Sequence, residues 1–359
     1  MKKFRVAIIG YGRSGRNIHK HLLEQLPEKY EIVAIADADA QRREMIQAET
    51  KAEALENHAQ LYGRTDIDFV VNASFSMDHA PISKELLEHG FNVLSEKPAA
   101  SSPAEFEAGV KAAEEHGCFY HVFQQYRFAP SYLKLKEVIA SGVLGRIVQV
   151  SLNYSGFARR WDWQTIQRFK AGSLLNTGPH PVDQALDLMG FPKEVQVTAA
   201  FDRAHTYGDA EDYVKVLLQA ENAPVLDIEI TSTNAFSDYT YLVQGTLGSL
   251  KGTTKKLEWK YYVEADEPEQ KLTDKPLRDE KGEPIYCREK LTLHTGDWEA
   301  AGDEVDDFNY KGLQFYNRLY ETLANGAPFP ITHAQVSSQM AVMEEAHRQN
   351  DARISPFVK

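Results

Sequence analysis

The chain has 359 residues, of which 43% are hydrophobic and 26% charged, and its formal net charge is -12. This length is too great for one ordinary hydrophobic core, so two domains are expected, and the acidic balance argues against nucleic acid or an anionic membrane as a partner. The two cysteines, Cys118 and Cys287, lack the spacing of a metal site, so no metal is expected and a reducing compartment is favoured. The N-terminal apolar run ends at Gly10, too early for a secretory signal, and a cytoplasmic location is expected.

Over residues 1–125, short apolar runs rich in β-branched and aromatic residues alternate with helical patterns. The strand candidates are Arg5–Ile9, Glu31–Ala36, Phe69–Ala73, Asn92–Leu94 and Phe119–Phe123. The helix candidates are Gly15–Gln25, Gln41–Ala48, His79–His89 and Ser102–His116. Strands that alternate with helices predict an α/β domain built on a doubly wound parallel sheet.

A glycine-rich turn follows the first strand candidate and opens the first helix; it reads Gly10-Tyr11-Gly12-Arg13-Ser14-Gly15. The first glycine permits the tight turn, the second lets the backbone approach a pyrophosphate, and the third lets helix and strand pack closely. In this context the pattern predicts a dinucleotide-binding loop, so all six residues are candidate cofactor contacts.

Asp37 ends the second strand candidate, about 20 residues beyond the turn, where a carboxylate accepts hydrogen bonds from an adenosine ribose. Because a carboxylate at this point repels a 2′-phosphate, NAD is expected in preference to NADP, although Arg42 and Arg43 could relax that preference. The alternative is that Asp37 only caps the helix that begins near Asp39.

Lys97 belongs to the stretch Glu96-Lys97-Pro98, which comes directly after the strand candidate Asn92–Leu94. Ligands bind at this edge of a doubly wound sheet, so the ammonium of Lys97 is expected to point at the cofactor or the substrate. The alternative is a solvated loop lysine. A cis peptide bond before Pro98 would fix the turn. Three more side chains near the strand ends are candidate cofactor contacts: Ser74, His79 and Glu96.

Residues 126–359 have a different pattern, with longer runs that alternate apolar and polar side chains. The strand candidates are the runs VQVSLNYSGF, VQVTAAF, DYVKVLLQA and VLDIEITST. They predict a second domain of α+β type, for substrate binding and oligomerisation, around a large and mainly antiparallel sheet with one solvated or interface face. The charge-dense residues 255–290 are expected to form an exposed excursion, and a last helix is expected over His333–Gln349.

Two prolines flank a histidine in the stretch Leu174–Asp183, LLNTGPHPVD. An imidazole with an ordinary pKa near ~6.5 suits proton transfer at neutral pH, so His180 is the candidate acid/base. The alternative is a structural histidine at the start of a helix that Gly178 caps. Asn176 is a poor N-cap because its N3 position would be Pro179, which has no N–H, so Asn176 is expected to hydrogen-bond the substrate or His180.

Three further side chains are candidate substrate contacts: Arg127, Trp161 and Trp163. The two tryptophans could form an aromatic platform for a sugar face, although a tryptophan-rich turn is as often part of a core. Arg127 and Asp183 either line the cleft or hold helices together.

Three motifs together resemble the glucose–fructose oxidoreductase, inositol dehydrogenase and MocA (Gfo/Idh/MocA) family over nearly the whole chain: Gly10-x-Gly12-x-x-Gly15, Glu96-Lys97-Pro98 and Gly178-x-His180. The resemblance implies a Rossmann domain followed by a mainly antiparallel α/β domain, with a nicotinamide cofactor between them and a sugar, a polyol or a derivative as substrate. It implies that Lys97 hydrogen-bonds the substrate and the cofactor ribose, and that His180 handles the hydroxyl proton. The chain departs from the family pattern at Asn176, where aspartate is usual.

The leading interpretation is an NAD(P)-dependent dehydrogenase that interconverts an alcohol and a ketone on such a substrate. A second is an enzyme that retains NAD and oxidises its substrate transiently to allow elimination, epimerisation or glycosidic cleavage. A third, a non-catalytic NAD-sensing regulator, is disfavoured because both Lys97 and His180 are present. By analogy with the family, a homodimer or homotetramer is expected through the sheet face that carries Asp227 and Glu229.

Overall fold

The structure, a computed structural model, describes residues 2–350, and a sheet of six parallel strands occupies their first part. The strands are β1 (Phe4–Ile9), β2 (Tyr30–Ala36), β3 (Glu53–Leu55), β4 (Phe69–Asn72), β5 (Val93–Ser95) and β6 (Tyr120–Val122). Their order across the sheet is β3-β2-β1-β4-β5-β6. The order reverses between β1 and β4, and the carboxyl ends of strands at such a reversal open a crevice where ligands bind.

The helices of this part cover both faces of the sheet, as the alternating pattern predicts. A π-helical segment, Gly15–Lys20, leads into α1 (His21–Glu24), and α2 (Ala40–Glu49), α3 (His79–Glu88) and α4 (Pro103–His116) follow. The predicted parallel α/β sheet is confirmed, but the sequence did not reveal β3. This edge strand has only three residues, Glu-Ala-Leu, which lack β-branched side chains.

The second sheet has eight strands, and every neighbouring pair is antiparallel except β7 with β10. The strands are β7 (Ile147–Ser155), β8 (Gln196–Asp202), β9 (Tyr213–Gln219), β10 (Val225–Thr231), β11 (Tyr241–Gly245), β12 (Gly248–Gly252), β13 (Lys256–Tyr261) and β14 (His294–Glu299). Their order is β14-β13-β12-β11-β7-β10-β9-β8. The predicted mainly antiparallel sheet is thus confirmed, and in β10 Leu226, Ile228 and Ile230 face the core.

Five helices accompany this sheet: α5 (Pro130–Ala140), α6 (Ser173–Asn176), α7 (Pro179–Leu188), α8 (Asp307–Asn325) and α9 (His333–Arg348). α8 does not pack only within the second part, because Phe315, Tyr316 and Leu319 belong to the hydrophobic core of the first sheet. α9 contributes Met340 to that core and Met343 to the core of the second sheet. These two helices therefore tie the two cores together, and the predicted division of the chain at residues 125 and 126 stays a prediction.

The expected excursion over residues 255–290 begins later than predicted. Residues Lys256–Tyr261 form β13, and Leu257 is fully buried in the second core. The exposed segment follows it and returns at β14, which pairs with β13. The charges misled the prediction because they lie on the outer face of β13, while the alternate side chains pack inward. Among residues 2–350 no helix is long and apolar enough to cross a bilayer.

Candidate active site

The glycine-rich turn lies at the β1–β4 crevice, and two of its glycines are required by close contacts. Gly10 has φ of 88°, and a Cβ added to it would lie 2.5 Å from the carbonyl oxygen of Ala73. A Cβ on Gly15 would lie 1.8 Å from the carbonyl oxygen of Gly10. Gly12 differs, since its added Cβ would meet only Arg42 Nη1 at 3.7 Å, which leaves room for a pyrophosphate to approach the backbone.

A pocket of about 340 Å³ opens over this turn. Gly10, Gly12, Arg13 and Ser14 line it on one side and Ser74 lies on another. The backbone N–H groups of the glycine turn and the adjoining helix start suit an anionic phosphate. The residues present therefore fit a dinucleotide.

Asp37 also lines the pocket, and its carboxylate is held by the backbone. Its Oδ2 accepts from the N–H of Tyr11 at 2.7 Å, and its Oδ1 accepts from the N–H of Asp39 at 2.9 Å. The N-cap of α2 is Asp39, whose Oδ1 accepts from the N–H of Gln41, so the alternative in which Asp37 caps this helix is wrong. Arg42 Nη1 lies 3.3 Å from Asp37 Oδ2, which puts a cation beside the carboxylate.

Lys97 follows β5, its peptide bond to Pro98 is cis, and its side chain turns toward the second part of the chain. Its Nζ donates to the backbone oxygen of Asn176 at 3.0 Å. Burial lowers the pKa of Lys97, and the neighbouring Glu96 carboxylate opposes this effect. The lysine is therefore not a freely solvated loop residue.

Glu96 is buried and contacts protein groups on both carboxylate oxygens. Its Oε1 lies 3.2 Å from His19 Nε2, and its Oε2 accepts from the N–H of Lys97 at 3.0 Å. Burial alone raises the pKa of Glu96, but the hydrogen bond with His19 and the charge of Lys97 together lower the pKa to about 2. His19 also contacts the hydroxyl of Tyr316 at 2.7 Å. Glu96 thus anchors the Lys97 backbone to the helix that follows the glycine turn.

His180 is the second residue of α7, which begins after Gly178 as predicted. Its side chain is buried, and its ring stacks on Tyr126 with centroids 3.9 Å apart and planes at 20°. Burial lowers the pKa of His180 well below its ordinary value, and the charges of Lys97 and Lys311 add to the effect. The imidazole is therefore neutral at physiological pH, the form that can accept a proton.

Asn176 ends α6 between the two candidate catalytic residues. Its backbone oxygen accepts from Lys97, and its Oδ1 accepts from Gln164 Nε2 at 3.0 Å. Among residues 2–350 no hydrogen bond joins Asn176 to His180, so of the two expected partners of Asn176 the substrate stays a prediction. The physical reason is that the carboxamide oxygen of Asn176 already accepts from Gln164, which itself lines the dinucleotide pocket.

Comparison with known proteins supports the sequence motifs. Residues 4–124 match the model of the oxidoreductase family with an NAD-binding Rossmann fold, GFO_IDH_MocA, and residues 132–251 match the GFO/IDH/MocA C-terminal domain. The chain belongs to the Gfo/Idh/MocA oxidoreductase family. It therefore has an NAD-binding Rossmann domain, and its fold and the suspected family are confirmed.

Relatives in this family have several activities in their names. The scyllo-inositol 2-dehydrogenase (NADP(+)) IolW of Bacillus subtilis is 24% identical over 95% of this chain and 92% of its own length. Inositol 2-dehydrogenase 2 of Saccharopolyspora erythraea is 30% identical over 67% of this chain and 70% of its own. The 2,7-anhydro-N-acetylneuraminate hydratase of Mediterraneibacter gnavus is 28% identical over 70% and 67%, respectively.

A solved structure agrees in fold over almost the full length. The WlbA dehydrogenase from Bordetella pertussis, in complex with NADH and UDP-GlcNAcA, superposes with a TM-score of 0.75 at 21% sequence identity. The match covers 97% of this chain and 95% of that one. The two-part architecture of the Gfo/Idh/MocA family thus extends over both sheets described above.

Two other predicted cofactor contacts lie at the end of β4. Ser74 lines the pocket, and its hydroxyl donates to Asn72 Oδ1 at 2.7 Å. His79 is buried, with Nδ1 at 2.7 Å from the carbonyl oxygen of Pro98 and Nε2 at 3.2 Å from that of Ser74. Both ring nitrogens of His79 thus contact backbone oxygens, which favours a role in holding the loops over a direct contact with the cofactor.

The structure places the three looser substrate candidates in different surroundings. Trp163 lines the dinucleotide pocket, where its ring meets Phe75 edge-on at 4.9 Å, and Trp161 is 81% exposed. Arg127 forms a buried ion pair with Asp183 through contacts of 2.5 and 2.9 Å. Of the two alternatives for Arg127, the structure supports the one in which it holds helices together.

The sequence reasoning missed three side chains: Tyr126, which stacks on His180, Lys311, whose charge lowers the pKa of His180, and Asp307, which pairs with Lys311. Tyr126 is adjacent to Arg127 in the chain, and only Arg127 was considered. Asp307 and Lys311 are four residues apart on α8 and form an ion pair, a spacing that ordinarily indicates an exposed helix face. Here Lys311 is only 3% exposed, a fact that no local pattern indicates.

Proposed function

We propose that this member of the Gfo/Idh/MocA family is an NAD(P)-dependent dehydrogenase that interconverts an alcohol and a ketone on a sugar, a polyol or a derivative by hydride transfer. The observation that carries the proposal is that Lys97 donates to the backbone oxygen of Asn176, four residues before the buried His180, and that its charge helps to lower the pKa of His180. The side chain of Asn176 in turn accepts from Gln164, which lines the dinucleotide pocket. The inositol dehydrogenases among the relatives support the substrate class.

In the proposed reaction the protein aligns the substrate and handles its proton. Lys97 donates a hydrogen bond from Nζ to the reacting oxygen, and the neutral imidazole of His180 accepts the hydroxyl proton. A bound nicotinamide cofactor would accept the hydride. In the reverse direction the protonated imidazole returns the proton to the same oxygen. The lowered pKa of His180 favours the direction in which the imidazole starts as a base.

We propose NAD as the preferred cofactor, because the Asp37 carboxylate lines the pocket and would repel a 2′-phosphate. Arg42 beside Asp37 opposes this preference, and the Bacillus subtilis relative is named for NADP(+). The remaining proposed cofactor contacts are the glycine-turn residues with Ser74 and Glu96, and Asn176 is a proposed substrate contact.

The test is turnover of a panel of inositols, sugars and sugar acids with NAD and with NADP, followed by the absorbance of the reduced nicotinamide. Lys97→Met is expected to lower kcat by about 10²-fold or more with little change in NAD affinity, since it removes one positioned donor. Lys111→Met is the matched control, because Lys111 is 75% exposed on α4. Turnover that survives Lys97→Met within a few-fold would contradict the proposed site.

His180→Ala is expected to remove most turnover and to regain part of it with added imidazole. The reason is that a free base can replace the missing proton acceptor if the cavity and the cofactor site remain. Circular dichroism must show a folded protein. Unfolding without recovered activity would instead support a structural role for this histidine.

A second candidate is an enzyme that retains NAD and redox-cycles it within each turnover. The relative named as a 2,7-anhydro-N-acetylneuraminate hydratase favours this alternative. Product formation without net accumulation of reduced cofactor, from enzyme that carries NAD through purification, would distinguish it from the first candidate.

We also propose a homodimer or homotetramer in the cytoplasm. The outer face of the second sheet carries Asp227 and Glu229, which pair with Lys215 at 2.6 and 3.4 Å. Light scattering of the purified chain measures the oligomeric state, and a monomer at all concentrations would contradict the assembly.

A further inference from the structure

The imidazole of His180 lacks the hydrogen bond that ordinarily fixes a catalytic histidine. Its Nδ1 is buried and, among residues 2–350, has no hydrogen-bond partner. In most acid/base histidines the second ring nitrogen is held by a carboxylate or a carbonyl oxygen, which sets the tautomer and the ring plane. Here the stacked contact with Tyr126 at 3.9 Å must fix the ring.

Lys311 is the unexpected neighbour of this stack. Its Nζ lies 4.0 Å from the ring centroid of Tyr126, within the range of a cation–π contact. The lysine is 3% exposed and forms an ion pair with Asp307, one turn earlier on α8. Further along, α8 packs into the first core through Phe315 and Leu319, so its backbone is held independently of the site.

We propose that Lys311, held by Asp307 and packed on Tyr126, is a positioning residue that fixes the His180 imidazole and acts on it through its charge. The proposal rests on the proposed function only in taking His180 as the proton acceptor. It explains how an imidazole with an unpartnered Nδ1 keeps one orientation. The lowered pKa of His180, to which Lys311 contributes after burial and Lys97, agrees with it.

The ionisable groups around His180 come from several segments. Lys97 follows β5, and α8 carries Lys311 with its partner Asp307. Tyr126 lies in the turn Gln125–Phe128, and Tyr154 of β7 lies beyond it. On α7 itself, Asp183 is paired with Arg127. α9 contributes the uncharged Gln339, which donates to the backbone oxygen of Pro179. Of the two cations whose charges lower the pKa of His180, Lys97 is a proposed substrate contact and Lys311 is not.

The first experiment compares pH profiles of kcat/KM for the wild type, Lys311→Met and Lys311→Arg. A cation opposes protonation of the imidazole, so its removal raises the pKa of His180. The acidic limb of the profile should move to higher pH by about one unit in Lys311→Met. Lys311→Arg keeps the charge and should leave the limb near its wild-type position. A limb that stays in place in a folded Lys311→Met protein overturns the proposal.

Asp307→Asn gives a second test with the opposite sign. It leaves the charge of Lys311 uncompensated, so the pKa of His180 should fall and the acidic limb should move to lower pH. If the ion pair had a purely structural role, Asp307→Asn and Lys311→Met would both lower the melting temperature, and the acidic limb would not move in opposite directions in the two variants. Shifts in the same direction would therefore also overturn the proposal, and Asp307→Asn serves alone if Lys311→Met does not fold.

A readout without turnover separates this inference from the proposed function. In protein with ¹³C-labelled histidine, the Cε1–H signal of His180 is assigned by its loss in His180→Gln and followed over the pH range in which the protein stays folded. A higher pKa of His180 in Lys311→Met supports the inference even if no alcohol is oxidised, in which case the dehydrogenase proposal alone fails. An unchanged titration in an active enzyme rejects the inference alone.

Discussion

The dinucleotide loop and the surroundings of His180 are built in opposite ways. The loop is one contiguous stretch of six residues whose path is set by backbone contacts at Gly10 and Gly15. The other site combines side chains from separate segments, with Lys97, Tyr126, His180 and Lys311 spread over more than half of the chain. The first can be destroyed by a single methyl group, whereas the second is tuned by charge and stacking.

The largest expected effect concerns the loop. Gly15→Ala would put a Cβ 1.8 Å from the carbonyl oxygen of Gly10, so we expect a large fall in melting temperature and loss of NAD binding. Gly12→Ala is the matched variant, because its Cβ meets only Arg42 at 3.7 Å. It should fold like the wild type and still bind NAD more weakly, since the methyl occupies the approach of the pyrophosphate. Thermal melts and NADH fluorescence titrations measure both, and unaltered binding by Gly12→Ala would contradict the assigned loop.

The next largest expected effect is on the free energy of unfolding, through a buried ion pair made by the helix that carries His180. Arg127→Met leaves the buried carboxylate of Asp183 unpaired, and burial already raises the pKa of Asp183 to about 6. We expect a loss of about 3–5 kcal/mol in the free energy of unfolding, as for other buried pairs that lose one partner.

Denaturant unfolding measures the effect of Arg127→Met, and Arg348→Met is the control. Arg348 pairs with Glu345 on the surface, where its side chain is 72% exposed, so a change of only about 0–1 kcal/mol is expected. A stable Arg127→Met protein with impaired substrate binding would instead restore Arg127 as a substrate contact.

A smaller effect is expected for cofactor choice. Asp37→Ala removes the charge that repels a 2′-phosphate and frees Arg42 from its contact at 3.3 Å. The ratio of NADP to NAD affinity should rise by roughly tenfold, equivalent to ~1.4 kcal/mol. Isothermal titration of both cofactors measures the ratio. Equal affinities of the unmutated protein for NAD and NADP would contradict the proposed preference for NAD.

The smallest effect concerns Asn176. Its Oδ1 already accepts from Gln164, and an aspartate could accept the same bond, so Asn176→Asp should fold normally. A new negative charge favours protonated His180, so the acidic limb of the kcat/KM profile should move to higher pH. Without a direct hydrogen bond to His180 the rise should stay below about one unit, the low end of the usual range. A larger shift would indicate that the two side chains meet during catalysis, and loss of binding at every pH would identify the amide N–H as a substrate donor.

The sequence predicted well where the signal is local. Strands β1, β2, β4, β5 and β6 follow short β-branched or aromatic runs, and the glycine turn lies where the β1–α1 pattern requires it. It predicted less well where a side chain's role depends on its partner. Arg127 and His79 have the chemistry of binding residues, yet Arg127 pairs with Asp183 and the ring of His79 contacts backbone oxygens.

By itself, the sequence determined the α/β class, the mainly antiparallel second sheet and the glycine-rich turn of a Rossmann domain, and it singled out Lys97 and His180 as the proposed catalytic pair. These features depend on residue periodicity, on glycine conformations and on functional groups at strand and helix ends, which neighbouring residues specify. Only the tertiary structure decided that Glu96 anchors to His19, that Asn176 pairs with Gln164 and that Lys311 lies buried at Tyr126. The physical reason is that burial and charge pairing arise between segments distant in the chain, and α8 carries Lys311 to the site because its apolar face packs into the core of the first sheet.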